Sequence, residues 1–487
     1  MPFAKILSIF LIVVILFVAF FIRPKFRISF TGDEPHYLVM VNSMLKDGDL
    51  NLKNDYLLKR YNDYYPVELD NYHLSKADPT NNTSWYSVHG PGLPLLLAPF
   101  VFLFGTAKGA FLATTLFALV LLYLVFVWTR RITGNESVAW VCTFILFGSA
   151  SFLGLLGTVY PDLVIAILLM GAVLILETKN RSKWHLILLG VLFGFAPWVH
   201  VKTLLITGTI GIIVIYQILK ENTLRKTKLI EFVYIVFPAL LLFIPFEIKT
   251  YQWYHTLSPG GSYTGYSTLF QLSPLVALPA MAFDHVKGLF INNPGFFLIF
   301  LGIPIWSKLN AGQFLRLLLI IVPTFLIQAT FGDWWGGWAP TSRYQLEFIP
   351  VFFPAIGLAL FYYKEVFVKI LLALLLLPHF IFGSFYLRRT LNYVEPGGGN
   401  LILTKIQEKI GVSMDNLIPK FTKEGFVGPN DMILTIMYTV LVMALITVGF
   451  KLTKGLSFPI ISKFRPSNLN VGDRKYRKKK KTWGKTL

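Results

Sequence analysis

Residues 3–38 read FAKILSIFLIVVILFVAFFI (3–22), RPKFRISF (23–30) and TGDEPHYL (31–38). The first piece is an unbroken apolar run with one charge, Lys5, and it matches the roughly 20 residues that a helix needs to cross a hydrocarbon core. Arg23, Pro24, Lys25 and Phe26 stand where a cleavable leader would place small residues, so the run reads as a retained first span. The third piece belongs to water, and it sets two adjacent carboxylates, Asp33 and Glu34, at the mouth of that span. Pro35 suits the first turn of a helix and Asp33 its cap, which predicts a short helix over 34–47 lying along the membrane surface. Capping accounts for one carboxylate; two at the interface also offer a general base or a metal ligand facing a cavity between helices.

Working outward, the apolar signal recurs along the chain. The 487 residues are 55% hydrophobic and 14% charged, with a mean hydropathy of +0.61, a balance foreign to soluble globular proteins. An aromatic content of 16% suits lipid-facing helices and interfacial belts. The sequence therefore predicts an all-α polytopic membrane protein of about twelve transmembrane helices. They fall near 3–22, 109–128, 137–157, 162–177, 184–200, 203–219, 230–248, 293–307, 314–331, 346–363, 366–386 and 432–450.

Basic residues give the orientation, because short cytoplasmic loops concentrate Lys and Arg. With the N-terminus inside, the inward loops carry Arg130 and Arg131, then Lys179, Arg181 and Lys183, then Lys220, Arg225, Lys226 and Lys228. Lys308 with Arg316, Lys364 with Lys369, and the tail 451–487 also fall inside. This alternation requires that 91–106 not cross the membrane, and Pro91, Gly92, Pro94 and Gly105 mark it as an interfacial or re-entrant helix. Arg23, Lys25 and Arg27, and later Arg388 and Arg389, break the rule. The outward segments are then 23–108, 249–292, 332–345 and 387–431, the last containing a flexible Pro396–Gly399 break.

The formal charge of +20 is concentrated in 451–487, which hold 12 Lys or Arg against Asp473. No folded nucleic-acid reader accompanies that run, so it reads as a cytoplasmic tail near anionic lipid. The first outward loop is acidic instead, with nine carboxylates against five basic side chains over 31–89. Cys142 is the single cysteine, which excludes an intrachain disulfide. There is no P-loop, dinucleotide fingerprint, GxSxG elbow or internal repeat, and no room for the α/β domain of a nucleotide-sugar enzyme. His255, His285 and His379 lack metal-ligand spacing. Asn81 with Thr83 and Asn82 with Ser84 match glycosylation tripeptides that arise often by chance.

Four further features follow in order along the chain. His89-Gly90-Pro91-Gly92-Leu93-Pro94-Leu95 opens the interfacial helix, and Tyr160-Pro161-Asp162 opens the fourth span. A Gly-rich span ends at Trp198-Val199-His200-Val201-Lys202, and Asp333-Trp334-Trp335-Gly336-Gly337-Trp338-Ala339-Pro340-Thr341-Ser342-Arg343-Tyr344 is the densest aromatic patch. In that patch a Gly turn brings backbone N–H groups near a ligand, Trp faces suit sugar rings or headgroups, and Arg343 suits a phosphate. A plain interfacial anchor explains the Trp residues but not the Gly pair or Arg343.

The order of these features, opened by Asp33 and Glu34, resembles the GT-C superfamily of polytopic glycosyltransferases over roughly the first 260 residues. The likeness is to the branch containing protein O-mannosyltransferases and the lipid A aminoarabinose transferase. It implies a catalytic module over 1–260, a variable transmembrane region over 261–450 and the basic tail 451–487. It further implies an enzyme of the inner (plasma) membrane that passes sugar from a polyprenyl-phosphate carrier to a hydroxyl acceptor on the outer face, with inversion. Asp33 would be the general base, with Glu34 beside it, and Lys202 and Arg343 the cations for the leaving phosphate. His89, Asp162, Trp338 and Tyr344 would join the substrate site, and a divalent metal, Mg or Mn, at Glu34 or Asp162 is left open. A transporter or flippase of lipid-linked or anionic substrates, with the same charges lining a path, is the alternative. A noncatalytic assembly partner of the same fold is a third reading.

Overall fold

The computed structural model describes residues 2–26, 30–75, 85–220, 224–258, 261–263, 274–331, 333–388, 395–411, 413, 416–423 and 425–456. The tripeptides at Asn81 and Asn82, Arg27, Arg389 and the basic tail beyond 456 lie outside them. Among the described residues the regular structure is helical, with two isolated bridges, Leu74 to Ser87 and Phe421 to Phe426.

Among the described residues seven helices are long and apolar enough to cross a membrane: Ser8–Lys25, Thr106–Thr133, Thr203–Lys220, Arg225–Tyr254, Pro294–Gln328, Val366–Leu387 and Pro429–Leu452. Expected spans near 137–157, 162–177, 184–200 and 346–363 appear as shorter apolar helices. The 137–157 run is divided because Gly148 ends Glu136–Phe147 and Ser149 caps Ala150–Leu155 by accepting from the Phe152 N–H at 3.2 Å. The two spans expected at 293–307 and 314–331 are helical pieces meeting at Asn310, whose backbone is non-helical. The Asn310 side chain accepts the Gln313 N–H at 3.1 Å and so caps the second piece.

The segment expected at the interface is helical over Gly92–Phe104, 13 residues or about 20 Å, shorter than a core of about 30 Å. Gly105, at φ 78°, turns the chain straight into Thr106–Thr133. The two helices then pack so closely that a Cβ on Gly109 would stand 2.3 Å from the Phe100 carbonyl oxygen. The helix expected over 34–47 is Glu34–Lys46, but it does not lie on a free surface. Tyr37, Leu38, Val39, Met40 and Val41 are all buried, since five successive apolar residues leave no polar face for water.

Arg23, an apparent breach of the charge rule, is 1% exposed. Its guanidinium donates to the carbonyls of Leu156 at 2.9 Å, Tyr386 at 3.3 Å and Leu387 at 3.2 Å, the open C-terminal ends of two helices. A charge consumed inside the protein is not a loop charge, so it carries no orientation signal. Arg23→Ala should lower stability by about 3 kcal/mol, because charge-assisted bonds are lost and buried carbonyls are stranded. Thermal unfolding of the detergent-solubilised protein measures this, with Lys25→Ala as the near-neutral control.

Candidate active site

The turn Thr31–Asp33 comes first. Gly32 takes φ 59°, and a Cβ there would meet both the Trp338 carbonyl oxygen and the Tyr160 hydroxyl at 2.6 Å. The Tyr160 hydroxyl donates toward the carbonyls of Thr31 at 3.2 Å and Trp338 at 3.3 Å. The first loop, the start of the fourth span and the Trp-Gly segment are thereby locked together. Glu34 serves that junction: its carboxylate accepts the Thr31 N–H at 3.1 Å and the Val159 N–H at 2.7 Å.

Asp33 precedes the helix without capping it. Instead its Oδ2 accepts from Arg343 Nη1 at 2.9 Å, and its Oδ1 stands 3.4 Å from His73 Nε2. Burial pushes the Asp33 carboxyl up, but the Arg343 guanidinium and the His73 bond outweigh it and hold the group well below the usual carboxylate range. The guanidinium of Arg343 lies over the rings of Tyr160 at 4.7 Å and Tyr344 at 4.9 Å, and Nη2 donates to the Tyr344 hydroxyl at 3.3 Å. Its Nε is buried and has no partner among the described residues.

The Gly pair supplies the turn that delivers Arg343. Gly336 and Gly337 have φ of 85° and 68°, and Ser342, immediately before Arg343, also takes a left-handed backbone. Lys287 holds this turn from beneath, donating to the carbonyls of Gly337 at 3.2 Å and Ala339 at 2.8 Å. Burial first, and the charge of Arg343 second, bring the Lys287 amine down to about 7. Trp338 contributes through its backbone, whereas its side chain is 54% exposed, as suits an interfacial anchor.

On the other flank, Lys202 Nζ is 2.5 Å from Glu347 Oε1 and 4.3 Å from the Tyr344 ring centroid. Asp162 is 1% exposed beside Glu347, its oxygens and Glu347 Oε2 have no hydrogen-bond donor among the described residues, and burial first, with the facing Asp162 carboxylate, raises the Glu347 carboxyl well above the usual carboxylate range. His89 stacks on Tyr37 at 4.6 Å and stands 5.2 Å from His73. Burial, and the adjacent positive charges, lower its ring to about 3, so it is neutral with Nε2 unpartnered among the described residues.

The structure thus gathers Asp33, His89, Asp162, Lys202, Arg343 and Tyr344 at one place, and gives Glu34 a structural task. It adds His73, Glu347 and Lys287, which the sequence did not single out. Glu347 carries the one legible signal, since it stands four residues after Arg343 and so near it if the segment is helical. A divalent metal at Glu34 does not fit, because both its oxygens are on backbone N–H groups. Asp162 keeps both oxygens without a hydrogen-bond partner among the described residues, in a field shared with Lys202 and Arg343. Among the described residues, the side chains with metal-binding donors within 4.8 Å of one another are Asp33, His73 and His89, and His36, Asp70 and His73.

The sequence matches no protein-family model and no curated protein. In three dimensions the chain is similar to the crystal structure of ArnT from Cupriavidus metallidurans bound to undecaprenyl phosphate. The match covers 92% of this chain and 72% of that one at 13% identity, with a TM-score of 0.51. The apo state of the same protein gives 93%, 72%, 13% and 0.50. The apo oligosaccharyltransferase of Archaeoglobus fulgidus aligns over 88% of this chain and 61% of its own at 11% identity, with a TM-score of 0.46, too slight to carry weight. At such identity the likeness to ArnT establishes the fold. The chain is an integral membrane protein with a helical fold like that of ArnT.

The His73 tie has a pH signature. Burial pushes the ring down, but its bonds to Asp33 and Asp70 raise it to about 9. A folded value above the unfolded one of about 6.5 means the stabilisation is complete below about pH 6.5 and lost as pH rises through about 9. With chelator present, the thermal midpoint of the wild type should fall between pH 6.5 and 9.5 relative to His73→Gln, measured over that series.

Proposed function

We propose that this protein is a membrane glycosyltransferase that moves a sugar from a polyprenyl-phosphate or pyrophosphate carrier to a hydroxyl acceptor, with inversion, on the outer face of the plasma membrane. The observation that carries this is a carboxylate at the mouth of the first span held against a buried arginine whose Nε has no partner among the described residues, with Lys202 against the same Tyr344 ring. The likeness to a fold solved with undecaprenyl phosphate bound supports the donor class. The acceptor is a glycan, lipid or protein, each of which presents the hydroxyl the chemistry requires.

In this reading the acceptor oxygen attacks the anomeric carbon while Asp33 takes its proton, and the bond from that carbon to the phosphate oxygen breaks with its electron pair. No general acid is needed, because the leaving phosphate is ionised. Arg343 and Lys202 meet the charge that grows on it, and a positioned base contributes about 10²- to 10⁴-fold. Before donor binding, Arg343 suppresses the basicity of Asp33. A phosphate that draws the guanidinium toward itself loosens that bond and raises the basicity of the carboxylate when an acceptor is in place. The base, Asp162 and Lys202 come from the 1–260 module, whereas Arg343 and Glu347 come from 261–450, with the 451–487 tail on the cytoplasmic side.

Single-turnover transfer from a lipid-phosphate sugar in detergent tests the chemistry. Asp33→Asn should express normally and slow transfer at least ~10²-fold. Arg343→Lys should be damaging but less so than Arg343→Ala, since it keeps charge and loses the planar fork. Wild-type protein that cleaves no such donor, yet moves labelled lipid across sealed vesicles in an Arg343-dependent way, would establish a transporter instead.

Sidedness is tested separately. Lys46→Cys, at the end of the first-loop helix, should react with an impermeant thiol reagent in intact cells, and Asn180→Cys should react only after permeabilisation. The native Cys142 is buried and gives no background. The reverse pattern would invert the proposed topology.

A further inference from the structure

The Glu34–Lys46 helix runs out into Asp47-Gly48-Asp49-Leu50-Asn51, with Asp55 further on. Oxygen-bearing side chains at 47, 49, 51 and 55 follow the spacing with which calcium loops present their first ligands. The glycine and the closing glutamate of such loops are absent here, so the spacing by itself is not a site. Asp55 supplies the independent observation. It is 1% exposed, and neither of its oxygens has a hydrogen-bond partner among the described residues. Arg60 Nη1 bonds Asp47 Oδ2 at 2.5 Å and stands 3.6 Å from Asp55 Oδ1, beyond hydrogen-bond reach, so the two carboxylates face one point. Ser43, beside Asp55, donates its one hydroxyl proton to Asp49 Oδ1 at 3.2 Å. Burial pushes the Asp55 carboxyl up, and Arg60 offsets only part of that. A buried carboxylate without donors, set beside two more carboxylates, is the arrangement that a hard cation relieves.

We propose that Asp47, Asp49 and Asp55 bind a calcium ion, with Asp55 as the buried ligand and water completing the shell. These three are not among the groups whose donors all lie within 4.8 Å of one another, which disfavours a small ion. Calcium takes six to eight oxygens at about 2.3–2.6 Å, so ligands on opposite sides stand about 5 Å apart, and water fills the places the protein leaves. Asp47 and Asp49 lie at the exposed end of the helix, which gives the ion its entry path. Asn51 is not a ligand, because its Oδ1 accepts the Trp85 N–H at 2.9 Å and the Lys53 N–H at 3.3 Å and so anchors the turn. Arg60 brings one positive charge to three carboxylates, and the ion supplies the remainder. It would tie the end of the helix that begins beside Asp33 to the Lys53–Leu57 helix, whose Tyr56 hydroxyl lies 2.7 Å from His36 Nδ1. The inference stands on the loop alone and does not depend on sugar transfer.

The full chain in detergent, stripped with chelator, is titrated with terbium(III), a calcium mimic that luminesces when a neighbouring aromatic ring passes it excitation energy. Tyr56 follows Asp55 in the chain and has Trp85 at 6.3 Å, so excitation of the aromatic residues should light a bound terbium. Calcium should displace it at about 10⁻⁴–10⁻³ M, the range of extracellular calcium modules, and magnesium at least tenfold less readily. Calcium should also raise the thermal midpoint of the wild type. Asp49→Asn, a change at an exposed position, should keep the midpoint seen in chelator and weaken calcium binding at least tenfold. Asp55→Asn, which keeps shape and removes the buried charge, should abolish the calcium-induced rise. Emission that neither variant weakens, or that calcium does not displace, overturns the site whatever the protein's transferase activity. Displacement by magnesium as readily as by calcium overturns the choice of ion.

Discussion

The bond from Arg343 to Asp33 spans 310 positions of sequence and closes the molecule around its site. A buried ion pair contributes little net stability, because desolvation offsets most of the attraction. Its value here is positional, and much of the surrounding structure can be read as the means of holding a guanidinium at that point. Two tyrosine rings flank it, two glycines and a left-handed Ser342 turn the chain toward it, and Lys287 fastens the carbonyls of that turn. On the other side Gly32 lets the loop backbone approach where any side chain would collide.

Two adjacent carboxylates divide the work by geometry. Glu34 points into the protein and satisfies backbone donors, so its charge is spent on fixing the junction of two segments. Asp33 points toward the cations and keeps 22% of its side chain exposed. Behind them Asp162 and Glu347 face Lys202, and Arg343 adds to the same field. The cations are therefore held in fixed orientation among buried acids.

Charges elsewhere obey the same economy in a chain whose surroundings offer little water. Arg23 caps the ends of two helices. Arg316 forms a two-pronged pair with Glu177 at 2.8 and 2.7 Å, joined by Gln313 at 3.0 Å, at the end of the Asp162–Leu176 helix. In each case the charge meets a helix terminus or an opposite charge, which is the condition for retaining it in an apolar setting.

The sequence by itself determined that this is a helical membrane protein, and it located the short helices after Asp33 and after Pro91, because hydropathy, caps and Gly or Pro punctuation act over a few neighbouring residues. It also pointed to Asp33, Asp162, Lys202 and Arg343, since charge is conspicuous against an apolar background. Only the tertiary structure decided which of them meet. His73 sits in a loop with no motif, Lys287 looks like any outward lysine, and Arg23 looks like a loop charge until the helix ends it caps are seen. The separate duties of Asp33 and Glu34 were equally hidden, because the direction of each carboxylate follows from partners at Val159 and Arg343, far away in sequence. Local patterns record which solvent a segment prefers, whereas a site forms from packing between segments, and no short-range pattern encodes that packing.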